Sequence, residues 1–352
     1  MKLLVALLLL LQSTGALAQK AALAALLKQE KVTGIQLVYT HNGTTTAYNM
    51  GRRRAGTPEA VKANSIFQAA SLGKVVLAYV ALRLHDRGVL ALDKSLLAYY
   101  PYPRLLPEAR AASITARMVL AHTTGLPNWS ENPTGPTWPT SPLHLNYPPD
   151  SCWNYSGEGY VFLQKTLEHL TGKSFEQLAE EEVFRPLGMK NSSFTWRADF
   201  AARACAGHDG QGQPTGVQKF TEPYGAFSLL TTATDYGRFL QALRSGRGLA
   251  PATARLLATP ATAADRCGRP ASPADPAIAW ACGVGLATTS RGLAQWHWGD
   301  NTEFKGFFMI LPGKGESLVY LTNSANGDRI ADQVLQLFFG PGQYWAPQWL
   351  AN

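Results

Sequence analysis

The 352-residue chain carries 32 Lys and Arg against 24 Asp and Glu, a formal net charge of +8, with 46% hydrophobic and only 16% charged residues. That balance suits a chain folded around a large core, in one big domain or two smaller ones. Its basic residues are scattered, with one run at Arg52-Arg53-Arg54 between Gly51 and Gly56 that reads as a solvated turn. The charge therefore argues against nucleic-acid binding and allows at most weak attraction to anionic envelope polymers.

The first segment has the layout of a secretory leader. Met1-Lys2 precedes an unbroken apolar run from Leu3 to Leu11, and Ala16-Leu17-Ala18 is a small-x-small cleavage signal. The run is too short to span a bilayer, and no Cys follows the cleavage site to take a lipid anchor. The reading is a signal peptide over residues 1–18 and an exported domain over 19–352, periplasmic or secreted, with no membrane span.

Residues 19–31 read as an Ala/Leu-rich helix. Thr33 to Thr40 and Thr44 to Met50 alternate as strands around an Asn42-Gly43 turn. A helix is predicted from Ser71 to Arg87, stopped by Gly88. Pro127 to Pro149, rich in Pro, Thr and Trp, reads as irregular. Helices follow at Gly157 to Leu170, Ser174 to Phe184 and Thr234 to Ser245, and Arg266 to Pro276 is a second Pro-rich loop. From Trp280 the pattern changes to strands: Gly283 to Thr288, Leu293 to Trp298, Phe304 to Leu311 and Ser317 to Thr322. Asp328 to Phe339 is a closing helix.

Strands at both ends with helices between them predict an α+β fold. One antiparallel sheet is built from the N-terminal hairpin and the C-terminal strands and flanked by helices, with a mostly helical insert over roughly residues 95–230. Cys152, Cys205, Cys267 and Cys282 are spaced too widely for a zinc knuckle. In an oxidising compartment they allow one or two disulfides, with three full pairings open. At least one bridge is expected to involve Cys267 or Cys282, which flank the second Pro-rich loop.

Three short features carry chemistry. Ser71-Leu72-Gly73-Lys74 is the only S-x-x-K and opens a predicted helix, so Lys74 lies one turn from Ser71 on the same face. A serine is a weak nucleophile until a base takes its proton, and a desolvated lysine is such a base. Tyr155-Ser156-Gly157 starts a mid-chain helix, and His297-Trp298-Gly299 ends a late strand. Each alone has a bland alternative: an N-cap serine with a solvated lysine, a packed tyrosine, a structural histidine. The nucleophile-elbow pattern G-x-S-x-G and the zinc motif H-E-x-x-H are absent, and the histidines lack metal-ligand spacing, so no cofactor and no metal are predicted.

In that order and context the three features resemble the serine β-lactamase and penicillin-binding-protein superfamily, in its class C β-lactamase, D-Ala-D-Ala carboxypeptidase and esterase branch. Further stretches carry the resemblance: Gly88 to Asp93, the His122-Thr123-Thr124-Gly125-Leu126-Pro127 segment, Phe184 to Met189, and Leu229 to Asp235. The resemblance implies that Ser71 forms an acyl-enzyme and that Lys74 and Tyr155 share the proton traffic. It also implies an oxyanion hole from the backbone N–H groups of Ser71 and of Asp300, just past Gly299. His297, where a Lys is common, would bind a substrate carboxylate or polarise Tyr155.

Three departures bear on the substrate. Gly157 replaces the Asn of Tyr-x-Asn, Trp298 replaces a small Thr, and Thr302-Glu303 replaces Pro-Gly. The expectation is an exported serine hydrolase acting on a small-molecule or peptide acyl substrate, as a small-acyl esterase or peptidase first. A D-Ala-D-Ala-type carboxypeptidase ranks second and a β-lactamase third, since Gly157 offers no amide to an acylamino group. A non-catalytic acyl-binding receptor is the reading from outside the enzymes.

Overall fold

A computed structural model describes residues 17–352 of the chain. The expected leader lies outside the described residues except for its last two positions, and residues 17–29 are helical. The strands are β1 (Gly34–His41), β2 (Thr44–Gly51), β3 (Phe67–Ala70), β4 (Gly207–His208), β5 (Pro214–Gly216), β6 (Leu229–Thr231), β7 (Thr262–Ala263), β8 (Ile278–Trp280), β9 (Gly285–Thr289), β10 (Gly292–Asp300), β11 (Lys305–Leu311) and β12 (Glu316–Thr322).

Eight of them form one antiparallel sheet in the order β2-β1-β12-β11-β10-β9-β8-β7. The hairpin near the start of the chain pairs with the last strand, with Val38 opposite Val319, so the two ends of the chain share the sheet as expected. The pairs β3-β6 and β4-β5 form separate two-stranded ribbons, and neither was expected.

Both faces of the sheet are covered, which explains its strands' long apolar runs. Successive side chains point to opposite faces. Ile35, Leu37, Phe307, Met309, Leu318 and Tyr320 belong to one core with Leu23, Leu27, Phe338 and Trp349 of the terminal helices. Val38, Phe308, Ile310, Val319 and Leu321 belong to the other, with Val76, Tyr79, Val80, Tyr236 and Phe239. A buried residue of this size contributes about 1.5–3 kcal/mol relative to exposure, so a one-residue slip of β11 would exchange the faces of five core side chains, Phe307 to Leu311.

Helices form close to where the sequence places them. Gly157–Thr171 is capped by Ser156, whose hydroxyl accepts from Gly159 N–H at 2.9 Å, and closed by Gly172 at φ 68°. Ala233–Ser245 and Ala331–Phe339 also match, while the terminal helix Trp345–Ala351 was missed. The helix after Ser71 is Gly73–Asp86 with Leu72 at its N-cap, so Ser71 stands just outside the helix that it was expected to open.

Cys152 and Cys267 form a disulfide across a sequence separation of 115, while Cys205 and Cys282 are buried free thiols. The expectation holds through Cys267. Cys282 is instead packed near the Arg117 guanidinium, 3.8 Å from its sulfur. Closing a loop of this length restricts the unfolded chain by about 4–5 kcal/mol in the entropic view. Thiol counting on unreduced, denatured protein from an oxidising compartment should find two free thiols and a Cys152–Cys267 peptide. Four free thiols, or a bridge to Cys282, would contradict the arrangement.

Candidate active site

The sequence Phe67-Gln68-Ala69-Ala70-Ser71 ends a short strand with a backbone irregularity. The β3–β6 register shifts between Gln68 and Ala70, and Ala70 takes φ 50°, a left-handed conformation unusual for a residue with a Cβ. Strain of this kind persists only where its surroundings impose it. The surroundings here include β10: a Cβ on Gly299 would lie 2.3 Å from the Ala69 carbonyl oxygen, so only glycine lets β10 approach the nucleophile turn. Ser71 emerges from this turn at the floor of a cleft. Among the described residues its N–H has no main-chain acceptor, which leaves it available as an oxyanion donor.

Lys74 is fully buried. Its Nζ donates to Ser71 Oγ at 3.1 Å and to the Ala226 carbonyl at 2.8 Å. Among the described residues no carboxylate pairs with it; instead it lies 4.9 Å from the Tyr155 ring centroid and 5.7 Å from those of Trp129 and Tyr160. Aromatic faces attract a cation, but without the strength of a carboxylate. Burial prevails and lowers the ammonium's pKa from 10.5 to about 7.

Tyr155 precedes the N-cap of the Gly157–Thr171 helix. Its ring is partly exposed along the cleft while its hydroxyl is buried, and among the described residues no group completes a full hydrogen bond to it. Burial drives the phenol's pKa well upward; the nearby Ser71 hydroxyl opposes that and the Asp300 charge adds to it. His122 brackets this segment. Its carbonyl accepts from Asn154 N–H at 2.7 Å and its Nδ1 accepts from Ser156 N–H at 3.1 Å, so one residue fixes the chain on both sides of Tyr155. The left-handed φ of 59° at His122 ends the Ala116–Ala121 helix and turns the ring inward. The sequence offered the His122-to-Pro127 segment only as a resemblance, not this role.

His297 is also fully buried. Its Nδ1 donates to the Trp298 carbonyl at 2.6 Å, which assigns the bare lone pair to Nε2. Burial holds the ring neutral, with a pKa near 3. Buried in this way, His297 offers the site a neutral ring rather than a cation. The ring lies 6.2 Å from that of Tyr155, on the inner side of the site.

The structure thus brings Ser71, Lys74, Tyr155, His297, Gly299 and Asp300 to one place. Ser71, Tyr155 and Asp300 line a cleft of about 460 Å³ together with Trp129, Phe227 and Trp298. Asp300 pairs with Lys305 at 2.6 Å and accepts from Thr302 N–H at 2.8 Å. Among the described residues no group of His, Cys, Asp or Glu side chains is placed to hold a metal ion.

Gly157 has a tertiary reason that sequence could not show. A Cβ there would fall 2.3 Å from the Trp129 ring, so the indole occupies the space of the missing side chain. Trp129 is held by its loop, which Glu158 anchors. That fully buried carboxylate accepts from Arg104 Nη1 at 2.8 Å, Trp138 Nε1 at 2.8 Å, and the Ser130 N–H at 3.0 Å and hydroxyl at 2.8 Å. Asn128 was also missed. Its Oδ1 accepts from Gly157 N–H at 3.0 Å, and the residue lines the cleft. Asn301 spends its amide on Gln68 and Phe227, and Asn154 on Leu126.

Gly157→Ala should therefore cost about 1–3 kcal/mol by overpacking against Trp129. Combined with Trp129→Leu it should cost less than the two changes summed, because the added methyl then has room. Thermal or denaturant unfolding reads both. Parent-like stability for Gly157→Ala would show that Trp129 does not fill this space.

The chain is similar to known proteins in both sequence and fold. A sequence model of the family described as Beta-lactamase matches residues 20–338. "Penicillin-binding protein 4" of Amycolatopsis lactamdurans is 26% identical over 318 residues, covering 85% of this chain and 83% of that protein. "Esterase EstB" of Burkholderia gladioli is 25% identical over 277 residues, covering 64% and 69%. The solved structure of the D-alanine carboxypeptidase AmpC from Burkholderia cenocepacia superposes with a TM-score of 0.76 at 17% identity, covering 92% of this chain and 99% of that one. The chain belongs to the β-lactamase family of serine hydrolases, which also takes in penicillin-binding proteins, carboxypeptidases and esterases.

Proposed function

We propose that this chain is an exported serine hydrolase that cleaves an ester or amide of a small acyl compound through an acyl-enzyme on Ser71. The observation that carries the proposal is Lys74, buried, without a carboxylate partner, and 3.1 Å from Ser71 Oγ. Its environment and that of Tyr155 push the two pKa values in opposite senses, which supports a division of roles between base and acid. Near neutral pH the lysine has a share of neutral amine and takes the Ser71 proton as Oγ bonds to the substrate carbonyl. The phenol remains protonated and gives its proton to the leaving group as the acyl bond breaks. The Lys74 ammonium, on the face of the same ring, returns that proton to the phenolate. A water in the leaving group's place then reverses the transfers and frees the acid.

The Ser71 and Asp300 N–H groups are the proposed oxyanion donors, and His297 acts from behind Tyr155 as a neutral ring. Export rests on the leader-like residues 1–18, with residues 19–352 as the mature domain, and the Cys152–Cys267 disulfide suits an oxidising compartment. A small-acyl ester or amide is favoured over a lactam because Trp129 stands where an amide would grip an acylamino group. A lost hydrogen bond of that kind lowers the rate about ten- to a hundredfold.

A fluorophosphonate probe should label Ser71 alone, located by peptide mass spectrometry. The protein should turn over p-nitrophenyl butyrate with at least about tenfold higher kcat/KM than nitrocefin. Ser71→Ala should abolish both activities, and Lys74→Ala should lower kcat about 10²–10⁴-fold. Labelling elsewhere with an active Ser71→Ala protein would refute the mechanism, and better turnover of nitrocefin would refute the substrate preference.

A further inference from the structure

The cleft over Ser71 carries an unbalanced negative charge. Asp300 and Glu303 line it, and no Lys or Arg does. Asp300 is matched by Lys305 at 2.6 Å. The Glu303 carboxylate is partly buried, and among the described residues it has no ion pair or side-chain hydrogen bond. Neither nearby lysine answers it. Lys74 is fully buried beneath Ser71, and the Lys219 Nζ lies over the Trp196 ring at 5.3 Å.

Glu303 is held in place by its backbone. Thr302 takes φ 61°, a left-handed conformation that a β-branched residue rarely adopts. Around it Thr302 N–H donates to Asp300 Oδ1 at 2.8 Å, and Glu303 N–H donates to the Asn301 carbonyl at 2.7 Å. The β4–β5 ribbon backs this turn so closely that a Cβ on Gly207 would fall 2.8 Å from the Cβ of Glu303.

Trp129 adds an attraction of the same sign. Its indole fills the space of the side chain missing at Gly157 and lines the cleft, with Phe227 against it at 5.5 Å between ring centroids. Aromatic faces attract cations. Two local features of the chain therefore act alike. Gly157 exchanges an amide for an aromatic face, and Glu303 adds a carboxylate. An acylated nitrogen on the substrate loses a partner there, while a protonated amine gains two.

We propose that Glu303 and the face of Trp129 form an ammonium subsite for the acyl half of the substrate. The subsite gives the enzyme a preference for α-aminoacyl esters and amides with a free amine, which it cuts in the manner of an aminopeptidase. The polarity follows from Tyr155, which as proton donor faces the leaving atom. Glu303 and Trp129 line the Ser71 side of that ring, and neither lines the cleft on its other side. The acyl half bonded to Ser71 is thus the half that meets them. An ammonium donates charge-assisted hydrogen bonds to a carboxylate and can at the same time rest on an indole face.

This inference rests on the hydrolase reading, and its test separates the two. The ethyl esters of alanine and of lactic acid, each as both enantiomers, differ near pH 7 in an ammonium against a hydroxyl. The parent protein should favour the alanine ester by at least about tenfold in kcat/KM, the size of one charge-assisted hydrogen bond. An α-ammonium also activates its own ester, so the deciding quantity is the change of that ratio between proteins. The ratio should fall about tenfold in Glu303→Gln, fall further in Glu303→Lys and be kept in part in Glu303→Asp. Because the readout is a ratio within each protein, loss of active protein cancels. A parent that favours the lactate ester, or a ratio unchanged in both Glu303→Gln and Glu303→Lys, removes the subsite and leaves the hydrolase standing. If neither ester is turned over while the fluorophosphonate probe labels Ser71, alaninamide should slow that labelling more than lactamide does, and equal protection removes the subsite. No turnover of either ester, with Ser71 unlabelled, removes both.

Discussion

One lysine buried without a counter-charge organises this site. An ammonium in water holds its proton to beyond pH 10 and is no base near neutrality. Desolvation changes that, and here nothing restores the cation: Lys74 meets a serine hydroxyl, a backbone carbonyl and three aromatic faces. A carboxylate in the same position would hold the proton on the amine and leave Ser71 inert. The aromatic residues around Lys74 thus have a chemical role in the proposed mechanism beyond filling volume.

Much of the neighbouring structure keeps that arrangement in register. Gly299 admits β10 against the nucleophile turn, Gly157 admits the Trp129 indole, and His122 grips the chain on both sides of Tyr155. Glu158 and Arg104, an ion pair sealed inside the fold, anchor the loop that delivers Trp129. Removing one partner of such a pair leaves an uncompensated buried charge, so the wall of the cleft is coupled to the stability of the fold.

The parts legible in the sequence were those carried by local spacing. Ser71 and Lys74 sit one turn apart, Tyr155 precedes a capped helix, and the apolar runs of β11 and β12 name the sheet's centre. The parts that were not legible depend on contacts between distant segments. The four-residue strand β3 is too short to show a period, yet its bulge and the strained Ala70 lead directly into Ser71. Gly157 read as a missing amide; only the fold shows Trp129 in that space and Asn128 beside it. His297 stood out only by its place before Gly299, because sequence does not reveal that its ring is buried. Cys152 meets Cys267 across 115 residues, a pairing that spacing leaves open.

The account depends most on Lys74 being a base at the pH where the protein works. Heteronuclear NMR of the protein carrying isotope-labelled lysine, with Lys74→Arg used to assign the resonance, follows the titration of this one Nζ. A midpoint near 7 is predicted, with the neutral amine gaining as pH rises through that value. A Lys74 that remains fully protonated up to pH 10 would contradict the proposed mechanism.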